Sequence, residues 1–203
     1  MATKGAQTKT RIMDAAQAMI LDRGYTGTSV DQLIKGIGLT KGAFFHHFNS
    51  KSDLAKALIQ RFADDGIALF HETLERSQKL SDDPLQQLLI LVGLYIEIFE
   101  GIEEPYAGCL MAAYVYELQQ FDDDVRPILN LETLEWRKVL TAQIDKIKLR
   151  YPPREEVDSA ALADMFTSTF EGAFVISKSL NEPEVTANQL KLYKTFLEAL
   201  FKP

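Results

Sequence analysis

Cys109 is the only cysteine of the chain, in Ala107-Gly108-Cys109-Leu110 at the expected start of a short helix. There the positive end of the helix dipole favours the thiolate, so the side chain could act as a nucleophile or be oxidised. The alternative is an inert, packed thiol. A single cysteine excludes an intramolecular disulfide either way. His46 and His47 come next, but neighbouring residues on a helix point about 100° apart. No Cys or carboxylate completes a ligand set around them, so no metal is expected. Glu103-Glu104 and Glu155-Glu156 read as loop and helix-start charge. With no triad spacing and no phosphate-binding loop, the chain offers no catalytic residues and calls for no cofactor, and an enzyme is not the expected class. What remains is recognition. Lys41 can donate to guanine O6 or N7, Ala43 offers a methyl to thymine, and Gly42 admits a close backbone approach, provided these residues open a helix that enters the major groove. Thr40 and, one turn on, His46 share the same outward side.

The elements that must position these residues are written in residues 28–54, TSVDQLIKGIGLTKGAFFHHFNSKSDL. Thr28 to Asp31 has the form of a capping box, so a helix should start there. Val30, Leu33, Ile34 and Ile37 then fall at i, i+3, i+4 and i+7, one apolar face. Gly36 and Gly38 can end it, because glycine takes positive φ without a Cβ penalty. Thr40 is the next cap, ahead of a second helix over 41–48, and Ser50 to Asp53 repeats the capping pattern. Phe44 and Phe48 are expected in the core. Two helices joined by so short a turn form the helix-turn-helix, whose second helix lies in the major groove of double-stranded DNA.

With a first amphipathic helix over 10–24 (Ile12, Ala15, Ala16, Met19, Ile20) and RGYTGTSVDQLIKGIGLTKGAFFHHFNSKSDL after it, the chain resembles the tetracycline-repressor (TetR) family of transcriptional regulators over about fifty residues. The G-[FY]-x-x-[TS]-[TS], G-[IV]-x-x-G and H-F-x-x-K-x-x-L patterns all appear in register. The resemblance implies that Thr28, His47 and Lys51 contact phosphates, and that the chain is a homodimeric repressor released from a palindromic operator by a small apolar or reactive effector. One departure is Phe45, where the family commonly has a Tyr whose hydroxyl bonds a phosphate. It leaves open a helical interaction protein that has lost DNA binding.

Charge agrees with a polyanion partner. Residues 1–60 hold eight Lys or Arg against four Asp, a local +4 in a chain of net charge −7. The field at the contacting face, not the total, governs the encounter. The polar start MATKGAQTKTR lacks an apolar signal segment, and the longest apolar run, 88–99, is shorter than the ~20 residues of a membrane span. A cytoplasmic protein without a membrane partner is expected.

Beyond residue 54 no period-2 alternation is sustained, so the fold is expected to be all-α with about nine helices. A DNA-binding domain over 1–54, with a linking helix over 51–77, precedes a ligand-binding and dimerisation domain over 78–203. Further helices are expected over 85–100, over 109–120, from the aspartates at 122–124 to Pro152, and over 155–180 and 184–201. The last two carry small residues on one helix and apolar residues on more than one face of the other, and by resemblance they pair with their copies in a dimer. Phe62, Phe99, Cys109, Tyr114, Trp136, Phe166, Phe170 and Phe174 are the candidates for an effector pocket. Tyr114 and Trp136 stand out, because a buried phenol or indole needs a polar partner. The segment Gly108-Cys109-Leu110 also resembles a branch of the family that includes electrophile- and oxidant-responsive repressors, which makes thiol sensing through Cys109 the alternative mode of release.

Overall fold

The computed structural model describes residues 4–121 and 123–201. Among them the chain is all-α, with nine α-helices: α1 (Lys4–Arg23), α2 (Val30–Gly36), α3 (Lys41–Phe45), α4 (Lys51–Leu80), α5 (Pro84–Glu100), α6 (Leu110–Val115), α7 (Val125–Arg150), α8 (Ser159–Leu180) and α9 (Glu184–Phe201). A single 3-10 turn, Leu118–Gln120, follows α6. Of the aspartates expected to open α7, Asp122 lies outside the described residues.

Capping chemistry sets most boundaries. The Thr40 hydroxyl accepts from Ala43 N at 3.2 Å, and the Ser50 hydroxyl accepts from Asp53 N at 3.0 Å while Asp53 Oδ2 accepts from Asn49 N at 3.2 Å. Gly38 takes the positive φ that ends the second helix region, at +66°. The first cap moves by one residue from the expected position. Ser29 accepts from Gln32 N at 3.2 Å, whereas Thr28 is buried and its hydroxyl donates to Gly24 O at 2.9 Å. Asp83 caps α5 through Leu85 N and Gln86 N, with Pro84 in the first turn, where its missing N–H costs nothing. The cap of α8 is Asp158, which delays that helix to Ser159 from the expected 155. Asn181, at φ 57°, ends it in the left-handed conformation.

The chain packs as two compact units. The first comprises the residues up to Asp64 together with Cys109–Leu131; the second comprises Asp65–Gly108 and the residues from Glu132 onward. Both α4 and α7 continue across this division. The expected 1–54 and 78–203 follow the motif, while the units follow burial. In the first unit, Ile12, Ala16 and Ile20 of α1, Leu33 of α2, Phe44 of α3, Leu58 and Ile59 of α4, and Leu110 and Tyr114 of α6 form one core. Each fully buried side chain of this size contributes roughly 1.5–3 kcal/mol of transfer free energy. In the second unit α9 packs against both α5 and α8. The apolar α5 buries Leu88, Leu91, Val92 and Tyr95, and α8 buries Phe166, Phe170 and Phe174.

Candidate nucleic-acid interface and effector region

Helix α3 is only five residues long, and its sides divide cleanly. Phe44 is fully buried and Phe48, just beyond, nearly so. Thr40, Lys41, Gly42 and His46 are exposed, with Ala43 and His47 half-buried beside them. The sequence-derived base-facing set is therefore brought together on one surface. An added Cβ at Gly42 would meet nothing of the protein closer than Thr40 Oγ1 at 3.9 Å, so the bare backbone there is open to an incoming partner. Lys41 Nζ lies 2.9 Å from Asp31 Oδ1, both well exposed. Such a surface pair is worth about 0–1 kcal/mol and gives way readily to a stronger acceptor. Phe45, 52% exposed, carries an apolar ring to the same surface.

Two expected phosphate contacts sit differently. The Thr28 side chain is buried with its hydroxyl committed to Gly24 O. Lys51 Nζ donates to Tyr25 O at 2.5 Å and lies 3.9 Å from the centre of the Tyr25 ring. Burial lowers the Lys51 pKa, against the opposing pull of Glu117. Both side chains are occupied in holding the α1–α2 connection, because each finds an acceptor inside the unit that a phosphate would have to displace. His46 and His47 stack edge to face, 5.0 Å between ring centres.

The expected effector residues are divided between the units. Phe62, Cys109 and Tyr114 belong to the first; Phe99, Trp136, Phe166, Phe170 and Phe174 belong to the second. Cys109 is half-buried at the N-cap of α6, without a side-chain capping bond. Tyr114 is fully buried against Tyr25 and Phe121, at 5.7 and 5.2 Å. In the second unit the five aromatics join Phe70, Tyr95 and Tyr193 in a continuous cluster; Trp136 stacks on Phe70 at 5.1 Å, and Phe166 meets Phe170 edge on at 4.8 Å. Tyr114 Oη and Trp136 Nε1 are buried without a hydrogen-bond partner, as are Tyr95 Oη and the hydroxyls of Thr141 and Thr186.

Residues 12–58 match the family model for bacterial regulatory proteins of the tetR family. The HTH-type transcriptional repressor DhaR of Mycobacterium sp. (strain GP1) is 27% identical over 167 residues, 82% of this chain and 80% of that protein. The HTH-type transcriptional repressor KstR2 of Mycolicibacterium smegmatis is 30% identical over 121 residues, 58% of this chain and 56% of that one. The fold matches a TetR-family regulator from Agrobacterium tumefaciens with a TM-score of 0.78 at 21% identity, covering 98% of this chain and 100% of that one. It also matches the reduced form of Escherichia coli NemR, with a TM-score of 0.73 at 20% identity over 93% and 96%. Over residues 12–58 the chain is similar to the tetR family, and its fold is the one those structures share.

Two carboxylates of the chain carry no signal in the sequence. Glu117 accepts from the backbone N–H groups of Tyr25 and Thr26 at 2.7 and 2.8 Å, and from the Thr26 hydroxyl. Burial acts to raise its pKa, but these donors and the Lys51 charge outweigh it and hold the carboxyl below its ordinary value. Gly24 makes the contact feasible. Its φ is +78°, and a Cβ there would sit 2.6 Å from Glu117 Oε1. Glu132, on α7 in the second unit, is pushed up to about 7 by burial and by the neighbouring charge of Glu171. No local pattern announces either residue. The partners of Glu117 lie 91 and 92 positions away, and Glu132 sits in an ordinary-looking Leu-Glu-Thr-Leu-Glu stretch.

Proposed function

We propose that this protein is a cytoplasmic, homodimeric repressor that reads a palindromic operator and is released by a small-molecule effector, and that it has no catalytic activity. The observation that carries this reading is α3: a short, capped helix whose buried side is Phe44 and whose open side is Lys41, Gly42 and His46. Lys41, Gly42, Ala43 and His46 face bases, and His47 with the N–H groups at the starts of α2 and α3 holds phosphates. Thr28 and Lys51 support that surface from behind.

Dimerisation follows from what α8 and α9 leave uncovered. Along α8 the exposed positions are Ala161, Met165, Ser168, Gly172, Val175, Ile176, Lys178, Ser179 and Leu180, with Lys178 the one charge, near the helix end. On α9, Leu192 and Phe196 are exposed at 62% and 38%. A partly apolar stripe with few charges on two neighbouring helices suits a self-complementary two-fold interface. An effector bound in the second unit acts through α4, which runs on into the first unit, and does so only by its different affinity for the DNA-bound and released states. The second reading is thiol-based release through Cys109, favoured by its half-buried position at a helix N-cap.

The test is a mobility shift on palindromic fragments from the protein's own promoter region, repeated across salt concentrations, with light scattering for the dimer. Specific retention that weakens with salt supports the reading. Absence of specific retention with any such fragment overturns it and leaves an interaction protein. Release by an oxidant or electrophile that Cys109→Ser abolishes would favour the thiol reading.

A further inference from the structure

The second unit carries four separate costs at one place, and each is hard to explain as packing alone. Tyr95 is 3% exposed, and its phenol oxygen has no hydrogen-bond partner. Trp136 Nε1, from a ring 5.9 Å away, is buried and equally unpartnered. Buried polar atoms are paired in the great majority of cases, so two orphans in touching rings mark a place prepared for another group. Glu132 lies one helical turn before Trp136, close enough for its charge to act on the Tyr95 phenol, and among the described residues no Lys, Arg or His forms an ion pair with it. The fourth cost is Gly66 in the middle of α4. A Cβ at that position would lie 2.0 Å from Glu132 Oε1. A mid-helix glycine is less stable there than alanine would be. Here it keeps open the space the carboxylate occupies.

An unpaired, partly buried carboxylate beside aromatic faces is complementary to one kind of molecule. A protonated amine can give its N–H groups to the carboxylate and to the phenol oxygen while its charge lies against the rings. A neutral effector would leave Glu132 unpaired, and an anionic one would be repelled by Glu132 and Glu171 together. We infer that the second unit is the binding site for a small organic cation, an amine carried on an apolar body, with Glu132 and Glu171 as the counter-charge and Tyr95, Trp136, Phe70 and Phe170 as the surrounding rings. The cation must part rings that now touch, such as Phe70 and Trp136 at 5.1 Å, and so binds an opened form of this cluster. That difference between forms is what allows a ligand to shift an equilibrium. The raised pKa of Glu132, about 7, agrees with this geometry: the carboxyl is held near its ionisation point until a positive partner arrives. This inference rests on reading the second unit as the effector domain, and its test is independent of DNA.

Trp136 is the only tryptophan of the chain, so intrinsic fluorescence reports on this site directly. The full-length protein is titrated at pH 8 with 2-phenylethylammonium and, separately, with its neutral near-isostere 2-phenylethanol. The expected result is a saturable change in Trp136 emission at a concentration roughly tenfold or more lower for the cation than for the alcohol. Glu132→Gln should erase that preference while leaving the alcohol's midpoint in place. Gly66→Ala should do the same with the carboxylate still present, by displacing it, and Glu171→Gln should cause a smaller loss in the same direction. Equal midpoints for cation and alcohol in the unsubstituted protein, no saturable change with the cation, or a preference that survives Glu132→Gln would each overturn the inference. A preserved operator shift with no amine preference sinks only this assignment. An amine preference without any operator shift sinks only the repressor reading.

Discussion

The exposed side of α3, proposed to read DNA, and the aromatic cluster of the second unit are built on opposite principles. On α3 the chemistry faces outward and every positioning device is local: Thr40 caps three residues ahead, Gly38 turns the chain just before it, and Phe44 anchors the helix from within. In the second unit the chemistry faces inward, and residues from α4, α5, α7 and α8 meet only after the chain has folded. The exposed side of α3 costs almost no stability, since its side chains stay in water. The aromatic cluster spends a good deal, in an unpaired carboxylate, two unpartnered polar atoms and a mid-helix glycine.

The sharpest way to break this contrast is to remove the anchor beneath α3. Phe44→Ala deletes a fully buried ring from the first core and should cost about 3–5 kcal/mol. Operator binding should vanish with the loss of the first unit's cooperative unfolding, measured by calorimetry and by mobility shift. If DNA affinity survives with stability reduced, α3 is held by something other than its buried side.

Next in size is the cost carried by Glu132. Its folded-state pKa is raised from the ordinary 4.5 to about 7, so its favourable contribution is complete below the ordinary value and is lost as pH rises through about 7. Glu132→Gln has no charge to bury. The substituted protein should gain on the parent by about 2 kcal/mol at pH 8, allowing for partial exposure, and much less at pH 5. Thermal melts at the two pH values measure the difference. A gap that does not widen with pH would place the Glu132 carboxylate in water.

The same contrast explains what could be read from the sequence. The helices and caps of the helix-turn-helix were legible, because caps, glycines and the apolar i, i+3, i+4, i+7 face are local signals; even the slip from Thr28 to Ser29 as the cap of α2 is a one-residue error between two hydroxyls. The helices of the second unit were legible for the same reason, apart from starts such as α8, where Asp158 outcompeted the acidic pair before it. Partnerships were not legible. Glu117 finds its donors across more than ninety residues, and nothing in the sequence around Gly66 connects it to Glu132. The aromatic candidates were identified by type, which cannot say that Phe62 and Tyr114 pack in one unit while Trp136 and Phe170 pack in the other.

A smaller effect concerns specificity alone. Lys41→Ala removes an exposed side chain whose one ion-pair partner among the described residues is Asp31, so stability should hardly change. Discrimination between the operator and single-base variants should fall by about 1–3 kcal/mol at the position Lys41 reads. Competition binding with a panel of variant operators measures this. Uniform weakening across the panel would instead assign Lys41 to the phosphates.

The smallest expected change is in a slope, and it separates two roles for Lys51. A lysine that neutralises a phosphate releases counterions, and its loss lowers the slope of log affinity against log salt by about one unit. Lys51 Nζ donates to Tyr25 O and lies against the Tyr25 ring, beside a connection that Glu117 also holds. Lys51→Met keeps the stem of the side chain and removes the charge. Affinity should drop for every sequence alike, because the connection leading into α2 loosens, while the salt slope stays where it was. A slope that falls by one unit would show that the ammonium leaves Tyr25 for a phosphate when DNA arrives, and that the division between an outward-facing surface and its internal supports is remade on binding.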